Sequence, residues 1–297
     1  MEGKEKKITV RDVAKEAGVS VATVSYILNN RSDQKISAAT KKKVLQIANL
    51  LNYKPSHAAK SLAQGRNNII GICYQLNPAT PARNLEIITL TNRLIPQLAR
   101  RNYDVLFVQV PDSSEDTPIS RNLDAILAID LAHDAFRSLA DSYLVPIISV
   151  DMLINDNLFY QIYTDFPALI QDAVSILDTD NYYVLTDRFS NEKYLDLLQI
   201  AVSQEKLIFY DSTNRQQLSH TGHSKIIILG SHLALLAQGF IPPDNMLVIT
   251  SEEDALVLPK GIRTLYTNTA KKANLSINLL LNAMDRKFEV AHEFKIK

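Results

Sequence analysis

Between Ser20 and Asn30 the residues able to do chemistry are short side chains carrying hydroxyl, amide and methyl groups. Val21, Ala22, Ser25, Tyr26 and Asn29 are spaced i, i+1, i+4, i+5 and i+8, which puts them on one face of a helix. That face is too mixed to be core and too sparsely charged to be an ordinary solvated surface. The chemistry it offers is recognition: an α-helix fits the major groove of DNA, where small polar and methyl-bearing side chains can read base edges. The bland alternative is a plain αα-hairpin at the edge of an all-α domain.

Other residues that could do chemistry form weaker patterns. None of the eight glycines stands in a GxGxxG, GxxxxGKS or GxSxG setting, so the sequence carries neither a phosphate-cradling loop nor a nucleophile elbow. Cys73 is the only cysteine, which excludes an intrachain disulfide, and its apolar run IIGICY suits a buried, inert thiol. His220 and His223 lack a nearby third ligand and read as solvated loop residues, as do Glu252 and Glu253. Asp165 and Arg188 sit at strand ends, where open α/β sheets collect ligands, although a structural ion pair suits them equally. The chain is therefore expected to be no enzyme and to need no cofactor and no metal.

The recognition face needs a scaffold, and the flanking residues supply one. Thr9 followed by Asp12 is a capping box, and Val10, Val13, Ala14 and Ala17 make one buried stripe of a first helix. Gly18 provides the turn, Val19 plugs the corner, Ser20 caps the second helix, and Val24, Ile27 and Leu28 face inward. A third helix over 37–52 starts at Ser37, carries a stripe of Val44, Ile47, Ala48 and Leu51, and stops at Tyr53 because Pro55 follows. Lys41, Lys42 and Lys43 oppose its dipole, a placement that makes sense if they point at phosphate; a solvated charge run is the alternative. Ser56 to Gln64 is a helix-prone segment too short to stand alone, whose Leu62 suits an apolar wedge in a minor groove.

Charge is divided in the same way. Residues 1–66 hold thirteen Lys or Arg against five Asp or Glu, whereas the whole chain of 297 residues is neutral, so a basic end of +8 is joined to an acidic body of −8. This is the footprint of a segment that neutralises phosphates on a domain that need not touch them. With 46% hydrophobic residues the chain can build several cores. No apolar run reaches the ~18 residues of a membrane span, and MEGKEKK lacks the apolar core of a signal peptide, so a cytoplasmic location with no membrane partner is expected.

From Ile8 to Ile72 the chain resembles the headpiece and hinge of the LacI family of bacterial transcription regulators, through TVRDVAKEAGVSVATVSYILN, KISAATKKKV, NYKP, AAKSL and NNIIGI. The resemblance implies a homodimer on a roughly palindromic operator in double-stranded DNA. Val21, Ala22 and Tyr26 would face bases, Thr9, Ser20, Thr23, Ser25 and Asn29 would hold phosphates or edges, and Ala59 and Leu62 would carry the hinge contact. Tyr26 stands where many members have Arg, and Lys60 replaces a frequent Arg or Gln.

Beyond the hinge, apolar runs alternate with helical stretches. Strands are expected at Ile69 to Tyr74, Val105 to Val110, Ala125 to Ile129 and Val145 to Val150, with helices at 86–101 and 133–143. A second series has strands near Tyr183 to Leu185, Leu207 to Tyr210, Ile226 to Leu229 and Met246 to Ile249, with helices near 166–177, 191–203 and 231–238, then a late helix over 268–285. The expected fold is a small all-α helix-turn-helix headpiece (1–54), a hinge (55–67) and an α/β, two-lobed, periplasmic-binding-protein-like body with parallel sheets (68–297). Lobe 1 would hold about 68–162 plus 267–285, and lobe 2 about 163–266 plus 286–297.

The resemblance implies a small-molecule effector, a carbohydrate or other metabolite, in the interlobe cleft, with Tyr74, Asp165, Arg188, Lys193 and Glu252 as its contacts. Departures argue against an ordinary sugar. Gly230 and Ser231 stand where the family usually has Asn-Asp, Lys193 to Leu197 replaces an Arg-x-x-Gly-Phe segment, and Glu252 stands for a frequent pocket Asp. The expected function is that of a sequence-specific transcriptional regulator acting as a repressor. The alternatives are a body that only dimerises or docks a protein corepressor and, more remotely, an α/β small-molecule-binding protein or enzyme.

Overall fold

The computed structural model describes residues 8–28, 34–53, 66–110, 122–154, 156–211, 218, 221, 224–287 and 291–297. The chain divides into two compact units, Met1–Asn67 and Asn68–Lys297.

In the first unit α1 (Val10–Ala17), α2 (Val21–Leu28) and α3 (Ala38–Leu50) enclose Val13, Ala14, Ala17, Val24, Ile27, Val44 and Ala48. The expected stripes form this core. Helix α3 ends two residues earlier than expected, because Asn52 takes a left-handed conformation (φ 49°) that breaks the ladder before Tyr53.

The second unit contains two parallel sheets. The first is built from β1 (Ile69–Tyr74), α4 (Pro81–Ala99), β2 (Asp104–Gln109), β3 (Ala125–Ile129), α5 (His133–Ser142), β4 (Ile147–Val150) and β5 (Tyr160–Thr164). The chain then crosses to the second lobe with α6 (Phe166–Leu177), β6 (Tyr182–Thr186), α7 (Glu192–Ala201), β7 (Leu207–Phe209), β8 (Lys225–Leu229), α8 (Ser231–Ala237), β9 (Met246–Ser251) and β10 (Arg263–Thr267). Helix α9 (Thr269–Met284) returns to the first lobe, where β11 (Glu293–Ile296) closes the sheet beside β5.

Strand order is β11-β5-β4-β3-β1-β2 in one sheet and β10-β9-β8-β6-β7 in the other. Helices cover both faces of each sheet, which is why the strands are nearly continuous apolar runs. In lobe 1, Ile70, Ile72, Leu127, Ile148 and Ile162 pack against α4 and α9, while Cys73, Ile126 and Ala128 meet Phe136 and Leu139 of α5. Burial pushes the Cys73 thiol up to about 12, in keeping with an inert core residue.

Two sequence expectations need correction. Helix α4 begins at Pro81 instead of 86, since proline is favoured in a first turn where its missing N–H is not needed. The C-terminal residues 293–297 belong with lobe 1 rather than lobe 2, because β11 pairs in parallel with β5. The carbonyls of Ile296 and Lys297 also accept the N–H groups of Asp165 and Asn268, the residues at which the chain crosses between lobes (2.8 and 3.2 Å). Strands β5, β10 and β11 escape the sequence pattern because YQIYT, RTLYT and EFKI lack an apolar run.

Candidate nucleic-acid interface and interlobe site

In the headpiece the local chemistry is as the sequence predicts. The N–H and Oγ1 of Thr9 both donate to the Asp12 carboxylate (2.8 and 2.7 Å), which fixes the start of α1. Gly18 takes φ 66°, and the following N–H of Val19 returns to the Ala14 carbonyl at 3.1 Å. Ser20 Oγ accepts the Thr23 N–H at 3.1 Å, starting α2 at the angle that its packing requires.

With Val24 and Ile27 turned inward, α2 leaves Ser20, Val21 and Ala22 exposed and Thr23, Ser25 and Tyr26 half-buried. Lys41, Lys42 and Lys43 are exposed in the first turns of α3. Ten of the side chains expected at DNA were named from the sequence; Asn29, Ala59 and Leu62 lie outside the described residues, as do His220 and His223. The arrangement is a short helix presenting methyl and hydroxyl groups, which is what base-edge and phosphate contact require.

The body places its buried charges at the carboxyl ends of both sheets. Each sheet reverses its order of winding at one point, between β1 and β3 and between β6 and β8, and crevices outside such points are where open α/β sheets bind ligands. Asp130 follows β3 and Asp151 follows β4, both in left-handed backbone (φ 47° and 50°), while Asp187 follows β6. Left-handed backbone at two non-glycine residues is a strain that the surroundings must maintain.

Arg83, on the first turn of α4 and only 3% exposed, fills the centre. Its Nε donates to Asp130 Oδ2 at 2.7 Å, its Nη1 to Glu86 Oε2 at 2.7 Å, and its Nη2 to the Asp151 carbonyl at 3.3 Å. Its guanidinium carbon lies 4.9 Å from the Phe189 ring centre and 5.8 Å from that of Tyr194, two rings that stack on each other. Lys272 from α9 donates to both Asp151 oxygens at 2.8 Å and to Thr164. Asp187 Oδ2 accepts the N–H groups of Ala82 and Arg83 (2.8 and 3.1 Å), so a carboxylate of lobe 2 holds the N-terminus of a lobe 1 helix.

These environments move acidities in different directions. Burial would lower the Arg83 pKa, but the carboxylates of Asp130, Asp151 and Glu86 outweigh it and the group is held fully charged. Burial likewise opposes ionisation of Asp151, yet Lys272 and Arg83 hold its carboxyl below the usual range. For Glu86 and Asp130 burial prevails over Arg83 and the pKa rises. Burial pushes Asp187 up to about 6 against the opposing N–H groups of Arg83 and Ala82.

The body residues expected to contact an effector lie in separate places. Tyr74 meets Phe107 edge to face at 6.1 Å, and Asp165 caps α6 through the Ala168 N–H. Arg188 lies over Phe209, 4.3 Å from its centroid, beside a hollow of about 550 Å³ that Asn77 and Thr80 also line. Lys193 is half-buried in the first turn of α7, and Glu252 is exposed beside a hollow of about 340 Å³ with Arg93 and Tyr266. The residues gathered at the centre, Arg83, Asp130, Asp151, Asp187 and Lys272, were not named from the sequence. A signal existed: AILAID and PIISVD each end an apolar strand on an acid.

Comparison with known proteins agrees with this architecture. The family of bacterial regulatory proteins described as the lacI family matches residues 9–56. The fructose operon regulatory protein of Vibrio cholerae is 27% identical over 189 residues, covering 60% of this chain and 56% of that protein. The sucrose operon repressor of Pediococcus pentosaceus is 32% identical over 159 residues, covering 51% and 46%. The chain thus spans about half the length of these curated relatives. Among solved structures, the Lac repressor dimer bound to operator and the anti-inducer ONPF superposes with a TM-score of 0.68 over 98% of this chain and 97% of that one, at 18% identity. Among the described residues no helix is long and apolar enough to cross a membrane, and no group of side chains could hold a metal ion. Residues 9–56 thus match the lacI family of bacterial regulatory proteins, and the fold of the whole chain is that of the Lac repressor structure.

Proposed function

We propose that the chain is a sequence-specific DNA-binding transcriptional regulator, a repressor that binds a roughly palindromic operator as a homodimer. The observation that carries this reading is the exposed face of α2, where Ser20, Val21 and Ala22 stand clear of the headpiece core beside Ser25 and Tyr26. Val21 and Ala22 supply methyl contacts to base edges, Tyr26 a hydroxyl and ring, and Thr9, Ser20 and Thr23 the hydroxyls that position the helix on phosphate. Asn29, Ala59 and Leu62 complete the proposed DNA contacts. The names of the Vibrio and Pediococcus relatives, a fructose operon regulator and a sucrose operon repressor, support the assignment to transcription control, and regulation rather than catalysis is the activity to test first.

A fluorescence-anisotropy titration against the DNA upstream of the chain's own gene tests the proposal. Tight binding to that fragment over unrelated duplex is expected, with Tyr26→Ala weakening it by about tenfold, within the ~1–3 kcal/mol scale of base-edge contacts. Binding without sequence preference and indifferent to Tyr26→Ala would overturn it.

A further inference from the structure

The cleft between the lobes holds a ligand-like group that belongs to the chain. A guanidinium bound in a built receptor would meet carboxylates in its plane, an aromatic platform against its face and a pocket closed to water. Arg83 meets all three: Asp130 and Glu86 at 2.7 Å, the rings of Phe189 and Tyr194 beneath, and almost complete burial. The receptor comes from both lobes, since Asp130 and Asp151 follow strands of lobe 1 whereas Phe189 and Tyr194 belong to lobe 2.

Among the described residues little room remains at this centre: the cavity lined by Glu86, Asp151, Thr164, Ser251, Asp254 and Lys272 has a volume of about 20 Å³, the space of a single water, and the larger hollows of about 550 and 340 Å³ are lined by other residues, Arg188 with Asn77 and Thr80, and Arg93 with Glu252. Closure is also built into the backbone. Gly230 follows β8 at φ 99°, and a Cβ there would stand 3.3 Å from Ala82 Cβ and 3.5 Å from Glu86 Oε1, so glycine lets lobe 2 approach α4.

We propose that the centre of the interlobe cleft is a guanidinium site whose occupant is Arg83, so that the body closes there on a side chain of its own instead of on a free effector. Neutral sugars do not match this centre, because they bring no positive charge to Asp130, Asp151 and Glu86. The only free ligands of fitting chemistry are small guanidinium compounds, and these bind once Arg83 is removed. The inference concerns the body alone and stands whatever the headpiece binds.

Thermal unfolding of the full-length chain tests it with ethylguanidinium as probe, at concentrations too low to denature, and ethylammonium, fructose, ribose and sucrose as controls. The wild type is expected to show no shift with any of them. Arg83→Ala is expected to melt lower and to recover about 3–6 °C with ethylguanidinium at tenfold its dissociation constant, and nothing with ethylammonium. A wild-type melting temperature raised by a sugar or by ethylguanidinium overturns the proposal, as does folded Arg83→Ala that ignores ethylguanidinium. If Arg83→Ala does not fold, hydrogen exchange at the arginine Nε–H groups of the wild type decides, with Arg83→Lys identifying the signal. An Arg83 Nε–H protected by orders of magnitude over exposed arginines supports the plug, and one that exchanges like them overturns it.

Discussion

Asp187 does two things at once. One carboxylate oxygen accepts two N–H groups at the start of α4, which favours the charged form, while the other is buried with no hydrogen-bond partner among the described residues, which favours the neutral one. Burial prevails and the pKa rises to about 6, above the ~3.9 of an unfolded aspartate. The folded state therefore holds this proton more tightly than the unfolded state between about pH 4 and 6, and this group's contribution to stability falls as pH rises through that window. Glu86 and Asp130, both raised by burial, act in the same sense, and Asp151, lowered by Lys272 and Arg83, acts in the opposite one. Urea unfolding as a function of pH should show the slope between pH 4 and 6 flattening in Asp187→Asn, whose amide oxygen still accepts the two N–H groups. An unchanged slope would mean that Asp187 does not titrate there.

At the scale of elements, α4 and the turn after β8 approach closely where the two lobes meet. Gly230 has a positive φ, and a Cβ there would stand a tight 3.3 Å from Ala82 Cβ, so Gly230→Ala adds left-handed strain and presses on Ala82. A loss of about 1–3 kcal/mol is expected from urea unfolding of the full-length chain. A change near zero would show that α4 and the β8 turn are free to separate. Gly230 and Ser231 both have packing roles: Gly230 makes room for α4, and Ser231 Oγ meets Thr250 Oγ1 at 2.8 Å. In the same way the ends of β11 tie both crossing points, so the last four residues matter to the junction of the lobes as much as to their own sheet.

For the whole molecule the leading electrostatic fact is the +8 of residues 1–66 set against the −8 of the remainder. If the headpiece supplies the phosphate contacts, the logarithm of DNA affinity should fall linearly with the logarithm of salt concentration, by about 0.9 for each phosphate neutralised. Changing Lys41 and Lys42 to Ala together should lower that slope by about 2, read by the same anisotropy titration at several salt concentrations. A slope that does not move would assign these lysines to the solvated surface instead.

What the sequence determined by itself is the headpiece, because its signals are local. Thr9 with Asp12, Ser20 with Thr23 and Ser37 with Thr40 are partners three residues apart, and a stripe at helical spacing names its own buried face. The alternating body was legible for a related reason, since strands covered on both faces are apolar without interruption; the polar strands β5, β10 and β11 were missed because they lie at or near sheet edges. The centre of the cleft was decided only by tertiary structure. Arg83 finds Asp130 across 47 positions, Ala82 finds Asp187 across 105, and Lys272 finds Asp151 across 121. No spacing rule links such residues, because what joins them is the register of two sheets and the angle at which α4 enters between them. Any of these charges alone reads as a solvated surface group; only the fold, by removing water from all of them together, turns them into a site.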